Sequence, residues 1–84
     1  MTKTVRVLYF AALRDVAGRA EEVLSLPAEV DSIVALTAHL AARVPALAPR
    51  LAYVRIARNE EFARPDDPVR DGDVIALIPP VAGG

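Results

Sequence analysis

Alternating hydrophobic and polar residues near both ends of the chain predict two β-strands. The stretch from Thr4 to Phe10 is rich in β-branched and aromatic residues, which favours a strand. Because side chains alternate across a strand, its two faces are predicted to be Val5, Val7 and Tyr9, and Arg6, Leu8 and Phe10. Val74 to Ile78 is predicted to be the last strand, with Ile75 and Leu77 on the core side together with Val7 and Tyr9. Phe10 and Ile78 are then expected on the opposite face.

Hydrophobic residues at helical spacing predict one long helix in the middle of the chain. Ile33, Leu36, Leu40 and Val44 follow this spacing, and the helix is predicted to cover Ser32 to Arg43. Asp31 or Ser32 can act as its N-cap, and Pro45 ends it. His39 lies off the apolar stripe, so we interpret it as a partly exposed surface residue.

Shorter elements fill the rest of the chain. We expect a short helix over residues 11–17 ended by Gly18, a second strand from Glu21 to Leu26 paired with the first, and a strand from Tyr53 to Ala57. These are followed by a turn over residues 59–61, a short return strand over 62–63, a loop over 65–68 and a tight turn over 71–73.

This order of elements predicts an α+β, ubiquitin-like β-grasp fold, in which a mixed five-stranded sheet packs on one main helix. A ferredoxin-like fold would need a second long helix, for which residues 46–51 are too short and are bounded by proline.

Composition excludes most catalytic and binding classes. The 84 residues are enough for one domain but leave little room for a deep substrate pocket. Ten basic residues are scattered among eleven acidic ones, which argues against nucleic-acid or membrane partners. Cysteine is absent, histidine occurs once, and no signal peptide is recognisable, so we expect a cytoplasmic protein without a metal site. The adjacent carboxylates Glu21–Glu22, Glu60–Glu61 and Asp66–Asp67 are interpreted as solvated surface charge.

The sequence ends on an unusual combination of residues. Pro79 and Pro80 stiffen the exit from the last strand, and Val81, Ala82, Gly83 and Gly84 follow. We therefore expect a domain over residues 1–80 and a projecting tail over 81–84. Glycine lacks a Cβ and can enter a narrow site on another protein. A C-terminal carboxylate is a poor electrophile, so it would need activation, for example as an acyl-adenylate, before sulfur could attack it.

Three parts of the chain together form a distinctive pattern: the opening Val7-Leu8-Tyr9-Phe10-Ala11-Ala12-Leu13-Arg14-Asp15, Asn59 with Asp71-Gly72-Asp73, and the ending Pro79-Pro80-Val81-Ala82-Gly83-Gly84. In these parts the chain resembles the small, sulfur-carrier subunits of molybdopterin synthase. It covers essentially the whole chain. The opening and ending together are more specific than the Gly-Gly end, which all ubiquitin-like sulfur carriers share. Arg58 departs from the family, which usually has an aliphatic residue at this position.

The resemblance implies a β-grasp fold and a cycle of sulfur transfer in molybdenum cofactor biosynthesis. A ubiquitin-activating-type enzyme uses ATP to adenylate Gly84, and a sulfur donor protein converts it to a thiocarboxylate. The tail then enters the large subunit of a heterotetramer, where sulfur passes to a cyclic pyranopterin monophosphate. The catalytic pocket belongs mainly to the large subunit, and the small subunit is not an autonomous enzyme and binds no cofactor itself. Besides Gly83 and Gly84, the implied partner-binding residues are Phe10, Arg14, Phe62, Ile78, Pro79, Pro80, Val81 and Ala82.

Three other hypotheses stay open. The chain could carry sulfur for thiamine, cysteine or tRNA thiolation, although thiamine-type carriers tend to be shorter and to lack the two prolines. It could be a ubiquitin-like modifier of protein lysines, which would produce isopeptide-linked adducts. It could also be an interaction domain that ends on two glycines by chance, and such a domain would lose nothing when Gly84 is deleted.

Overall fold

Five strands form one mixed sheet, and the computed structural model describes residues 2–80. The strands are β1 (Lys3–Tyr9), β2 (Glu21–Leu26), β3 (Arg55–Arg58), β4 (Glu61–Phe62) and β5 (Val74–Ile78). The helices are α1 (Ala12–Ala17), α2 (Ile33–Arg43) and α3 (Ala48–Leu51), the last following a 3-10 turn over Pro45–Leu47. The order across the sheet is β2-β1-β5-β3-β4. Strands β1 and β5 run parallel, and the other neighbours are antiparallel.

One face of the sheet is buried against the apolar stripe of α2. Strand register places Val7 beside Ile75 and Tyr9 beside Leu77, and all four side chains are buried. Ile33, Leu36 and Leu40 of α2 belong to the same hydrophobic core. The predicted core face is therefore confirmed. The hydrophobic area that these residues remove from water is the main force holding the helix on the sheet.

Helix α2 begins and ends where local chemistry requires it. The Ser32 hydroxyl accepts a hydrogen bond of 3.2 Å from the backbone N–H of Ala35, so Ser32 rather than Asp31 is the N-cap. The helical residues end at Arg43, two positions before Pro45. His39 is half-buried, which confirms its interpretation as a partly exposed residue.

Strand β1 ends one residue earlier than predicted, and its hairpin with β2 is confirmed. Ala11 adopts a φ of 52°, which turns the chain into α1 and removes Phe10 from the strand. Gly18 ends α1 in the left-handed conformation, as predicted, and its N–H donates to the Arg14 carbonyl at 2.9 Å. Strand β2 then pairs with β1 over residues 21–26.

The prediction of a strand over residues 53–57 was wrong by two residues at its start. Strand β3 begins at Arg55, which pairs with Ile78, the last residue of β5. The next residue after Ile78 is Pro79, which has no backbone N–H to donate, so the ladder cannot extend toward Val54. Tyr53 instead completes the turn after α3, with its N–H on the Arg50 carbonyl at 3.0 Å.

The turn after β3 is shorter than predicted. Asn59 and Glu60 have φ values of 52° and 71°, the combination that a two-residue hairpin turn requires. Glu61 therefore belongs to the return strand and pairs with Arg58, and β4 covers Glu61–Phe62 rather than residues 62–63. Arg58, the departure from the family pattern, donates a side-chain hydrogen bond to the Pro68 carbonyl.

These elements confirm the β-grasp arrangement. Residues 45–51 form only a 3-10 turn and a four-residue helix, so the second long helix of a ferredoxin-like fold does not exist there. Parallel β1 and β5 lie at the centre of the sheet, and α2 crosses one face. Within residues 2–80, no helix has the length and apolar character needed to cross a membrane.

Candidate functional site

The face of the sheet away from α2 carries a continuous apolar surface. Strand register places Leu8 beside Ala76, and Ala76 beside Ala57, which in turn pairs with Phe62. Phe10 and Ile78 extend this surface toward the end of β5. We call these six residues the apolar patch: Leu8, Phe10, Ala57, Phe62, Ala76 and Ile78. They line a shallow depression of about 340 Å³, with Val74 and Glu60 also at its lining.

The patch contains two large side chains that are open to solvent. Phe10 is 42% exposed and Phe62 is 60% exposed, although most phenylalanines in a domain of this kind are buried. Sequence analysis named Phe10, Phe62 and Ile78, and the structure brings all three to one depression. It did not name Leu8, Ala57 or Ala76 as site residues. Alternation places Leu8 on the face of Phe10 and Ala76 on that of Ile78, but register between strands decides that they meet Ala57 and Phe62 in one depression.

The side chain of Arg55 lies over one aromatic ring of the apolar patch. The guanidinium carbon of Arg55 is 3.7 Å from the centroid of the Phe62 ring, within the distance of a cation–π contact. This contact restrains an exposed aromatic ring. Arg55 therefore brings a positive group onto Phe62, and Glu60 brings a negative group to the lining of the depression.

Arg14 lies beside the patch in sequence but not in its lining. It is an exposed residue of α1, four positions after Phe10, and it is absent from the residues that surround the depression. Its role in partner binding stays a prediction.

The base of the tail adjoins the patch. Ile78 and Pro79 are half-buried and Pro80 is exposed, so the chain leaves the sheet at the edge of the apolar patch. Phe10, Ile78, Pro79 and Pro80 all line a second, open cleft of about 780 Å³ on this side. The predicted residues Val81, Ala82, Gly83 and Gly84 lie outside the described residues.

The turn before β5, at the end of that strand away from Pro79, is held by hydrogen bonds to β1 and to Asn59. Asp71 Oδ1 accepts the Thr4 N–H at 2.7 Å, and Gly72, at a φ of 88°, donates its N–H to the Thr4 carbonyl at 2.7 Å. The buried Asp73 accepts from Asn59 Nδ2 at 2.9 Å, while Asn59 Oδ1 accepts the Val74 N–H at 2.9 Å. The residues quoted for the resemblance in this region therefore fix where β5 begins, and we assign them no chemistry.

Glu22 corrects the interpretation that all adjacent carboxylates are solvated surface charge. Its side chain is only 7% exposed and accepts a 2.6 Å hydrogen bond from the Tyr9 hydroxyl. Arg43 at 3.2 Å and Arg19 at 3.6 Å supply positive charge to the same carboxylate. Burial, followed by the hydrogen bond to Glu22, raises the pKa of Tyr9 far above its ordinary value. This network joins β1, β2 and α2, and its residues are too far apart in sequence for a motif to reveal it.

The described residues contain no cluster that would hold a metal ion. No group of three or more His, Asp or Glu side chains lies together within residues 2–80.

Comparison with known proteins assigns the family. The ThiS family model matches residues 7–84. The chain belongs to the ThiS family. Curated relatives of this ThiS-family chain include the molybdopterin synthase sulfur carrier subunits of Chlamydomonas reinhardtii and Escherichia coli (strain K12). The first is 39% identical over 82 residues, covering 95% of this chain and 98% of the relative. The second is 34% identical over 82 residues, covering 95% and 99%.

Solved structures agree with the fold. A putative molybdopterin converting factor subunit 1 from Pyrococcus furiosus superposes with a TM-score of 0.84 at 32% identity, covering 94% of this chain and 99% of that one. The small archaeal modifier protein 1 of Haloferax volcanii gives 0.82 at 26% identity, covering 94% and 99%. A chain of the complex of subunits 1 and 2 of molybdopterin-converting factor from Helicobacter pylori gives 0.66 at 30% identity, covering 96% and 99%. The ubiquitin-like β-grasp prediction and the family resemblance are confirmed.

Proposed function

We propose that this chain is the cytoplasmic sulfur-carrier subunit of a molybdopterin synthase, acting in molybdenum cofactor biosynthesis. The observation that carries the proposal is the near-full-length match to curated sulfur carrier subunits, at 39% identity over 95% of this chain and 98% of the Chlamydomonas reinhardtii relative. A match over both full lengths supports a shared role more strongly than a shared fold does, because one fold serves many functions.

The apolar patch supports docking to a large subunit. It exposes two phenylalanines beside the point where the chain leaves the sheet, and aromatic side chains of this kind are common anchors of protein interfaces. The Helicobacter pylori neighbour was solved as a complex of two subunits, which agrees with a partner of this type. We propose that the patch binds the large, catalytic subunit in a heterotetramer and that residues 81–84 enter its site.

The proposed chemistry centres on the carboxylate of Gly84. An activating enzyme joins this carboxylate to the AMP moiety of ATP and releases pyrophosphate, which gives the acyl carbon a good leaving group. The persulfide of a donor protein then attacks that carbon and AMP leaves, which gives an acyl disulfide between the two proteins. A thiol cleaves this bond by thiol–disulfide exchange, so this chain keeps a thiocarboxylate and the donor keeps a disulfide.

In the large subunit the thiocarboxylate sulfur attacks a side-chain carbon of a cyclic pyranopterin monophosphate and displaces an oxygen substituent, which gives a thioester between the two molecules. Water hydrolyses this thioester, so the sulfur stays on the pterin and the carboxylate is regenerated. Two such transfers supply the two sulfur atoms of the dithiolene. This chain supplies no catalytic side chain of its own to these steps.

Sulfur loading is the step to test first. The full chain is incubated with the activating enzyme, a sulfur donor and ATP, and its intact mass is followed. We expect a gain equal to the difference between sulfur and oxygen, which fragmentation assigns to Gly84. Omission of ATP is the control and should leave the mass unchanged. No gain in the complete mixture would contradict the proposal.

A protein modifier is the second candidate, favoured by one specific observation. The small archaeal modifier protein 1 of Haloferax volcanii shares the fold at a TM-score of 0.82 and 26% identity. A modifier would form isopeptide bonds between Gly84 and lysines of other proteins. Extracts that express the tagged chain should then contain covalent adducts, whereas a carrier confined to sulfur transfer should give none.

A further inference from the structure

Arg50 is placed at the base of the tail on an otherwise uncharged surface. Two open clefts flank Pro79 and Pro80, and Arg50 lines both of them. The other residues that line these clefts are apolar or, in the case of Tyr53, neutral. Arg50 is therefore the one charged side chain at the tail base within the described part of the chain.

The Arg50 guanidinium has no counter-charge among residues 2–80. Arg6, Arg19 and Arg43 each form an ion pair with a glutamate. Arg50 makes neither an ion pair nor a side-chain hydrogen bond to any residue from 2 to 80, and it is exposed on the short helix α3. Its donors are consequently free to bind a group on another molecule.

The cleft around Arg50 is continuous with the apolar patch. Phe10 and Ile78 line both the depression of the patch and the larger cleft that Arg50 lines. A partner that covers the patch and also takes up the chain after Pro80 therefore has to cover Arg50. Burial of an unpaired charge under an interface costs several kcal/mol, so such a partner would bind weakly unless it supplied a negative group.

We infer that Arg50 is a partner-binding residue that takes an aspartate or glutamate side chain of the large subunit, next to the point where the tail enters it. Guanidinium and carboxylate form two parallel hydrogen bonds, which fixes orientation as well as adding affinity. This contact would hold the base of the tail while the apolar patch supplies most of the buried area. The inference rests on the proposed function, because it requires the large subunit as the partner.

Calorimetric titration of the full chain into the large subunit tests the inference. Arg50→Glu is compared with Arg70→Glu, which changes the net charge equally. Arg70 is exposed and precedes the start of β5, at the far end of that strand from Pro79. We expect Arg50→Glu to raise Kd about 10-fold or more, and Arg70→Glu to raise it less than about 3-fold. Unchanged Tm values should show that both variants remain folded.

A crosslinking measurement identifies the group that Arg50 contacts. In Arg50→Lys, a carbodiimide can couple the new amine to a touching carboxylate with loss of water. We expect a crosslink from position 50 to an Asp or Glu of the large subunit, and none from position 70 in Arg70→Lys. Equal Kd values for the two glutamate variants, or no crosslink from position 50, would overturn the inference alone. Failure of the unaltered chain to bind the large subunit would overturn the proposed function and this inference together.

Discussion

The hydrogen bond between Tyr9 and Glu22 should be a major source of stability. Tyr9→Phe removes one hydroxyl from a core position and leaves the ring in place. The carboxylate of Glu22 then loses its 2.6 Å donor at a site where its side chain is only 7% exposed, and only Arg43 and Arg19 remain beside it. A hydrogen bond to a charged group contributes about 1.5–3 kcal/mol. We expect Tyr9→Phe to lower the free energy of unfolding by about 2 kcal/mol, because the two arginines retain part of the compensation.

The assay is urea or thermal unfolding, with Tyr53→Phe as the matched control. Tyr53 is 74% exposed and its hydroxyl has no hydrogen-bond partner within the described residues, so the same chemical change should cost about 0.5 kcal/mol or less. In a domain of this size, 1 kcal/mol corresponds to roughly 4–8 °C in Tm. Equal losses for the two variants would refute the reasoning.

Comparison of Tyr9→Phe with the unaltered chain also gives a pH dependence of stability whose sign is known. The pKa of Tyr9 is raised in the folded state, mainly by burial and then by Glu22, so the unfolded chain loses this proton first as pH rises. Its contribution to stability is complete below the unfolded pKa of about 10 and falls above it. The stability difference between the unaltered chain and Tyr9→Phe should therefore shrink between about pH 9 and pH 11. A constant or growing difference over that range would contradict the assignment.

Variants of Asn59, Lys3 and the apolar patch test the other contacts of the fold and the site. Asn59→Gly keeps the left-handed backbone but removes the hydrogen bonds to Asp73 and to the start of β5, so urea unfolding should show a loss of about 1–3 kcal/mol. Lys3→Met keeps the apolar part of the side chain but removes the ammonium that donates to two backbone carbonyls at 3.0 and 3.2 Å. Urea unfolding should show a loss of about 1–3 kcal/mol in the free energy of unfolding, and no loss would show that water replaces the ammonium. Phe10→Asp should raise Kd for the large subunit about 10-fold or more, whereas Val23→Asp, on the same face at 64% exposure but outside the patch, should change it little. Unfolding of Phe10→Asp would mean that this face is not open.

Periodicity was sufficient to predict most of the fold. Strand β5 and strand β2 were predicted to the residue, because each is a run of alternating residues stopped by a proline or a turn. The errors at β3 and β4 have different causes, one in the neighbouring strand and one in the geometry of the turn. Pro79 stops pairing at Arg55, and two residues with positive φ shorten the turn at Asn59.

The candidate site was predictable only where it depended on a single strand. Alternation alone placed Phe10 and Ile78 opposite the core, whereas Ala57 and Phe62 join them through register between strands. Glu22 could not be recognised, because its partners Tyr9 and Arg43 come from other elements. Arg50, which we propose as a partner-binding residue, had no signal in the sequence, because the proposal rests on the uncharged residues from 2 to 80 that line the two clefts beside it.

The last residues of the chain carry the proposed chemistry, and one transfer measurement tests their role. The unaltered chain and a variant lacking Gly83 and Gly84 are each treated with the activating enzyme, ATP and the sulfur donor, and then mixed with the large subunit and cyclic pyranopterin monophosphate. We expect equal Tm values for the two chains, dithiolene product with the unaltered chain and no product with the shortened one. Product formed at the same rate by the shortened chain would contradict the proposed role of these residues.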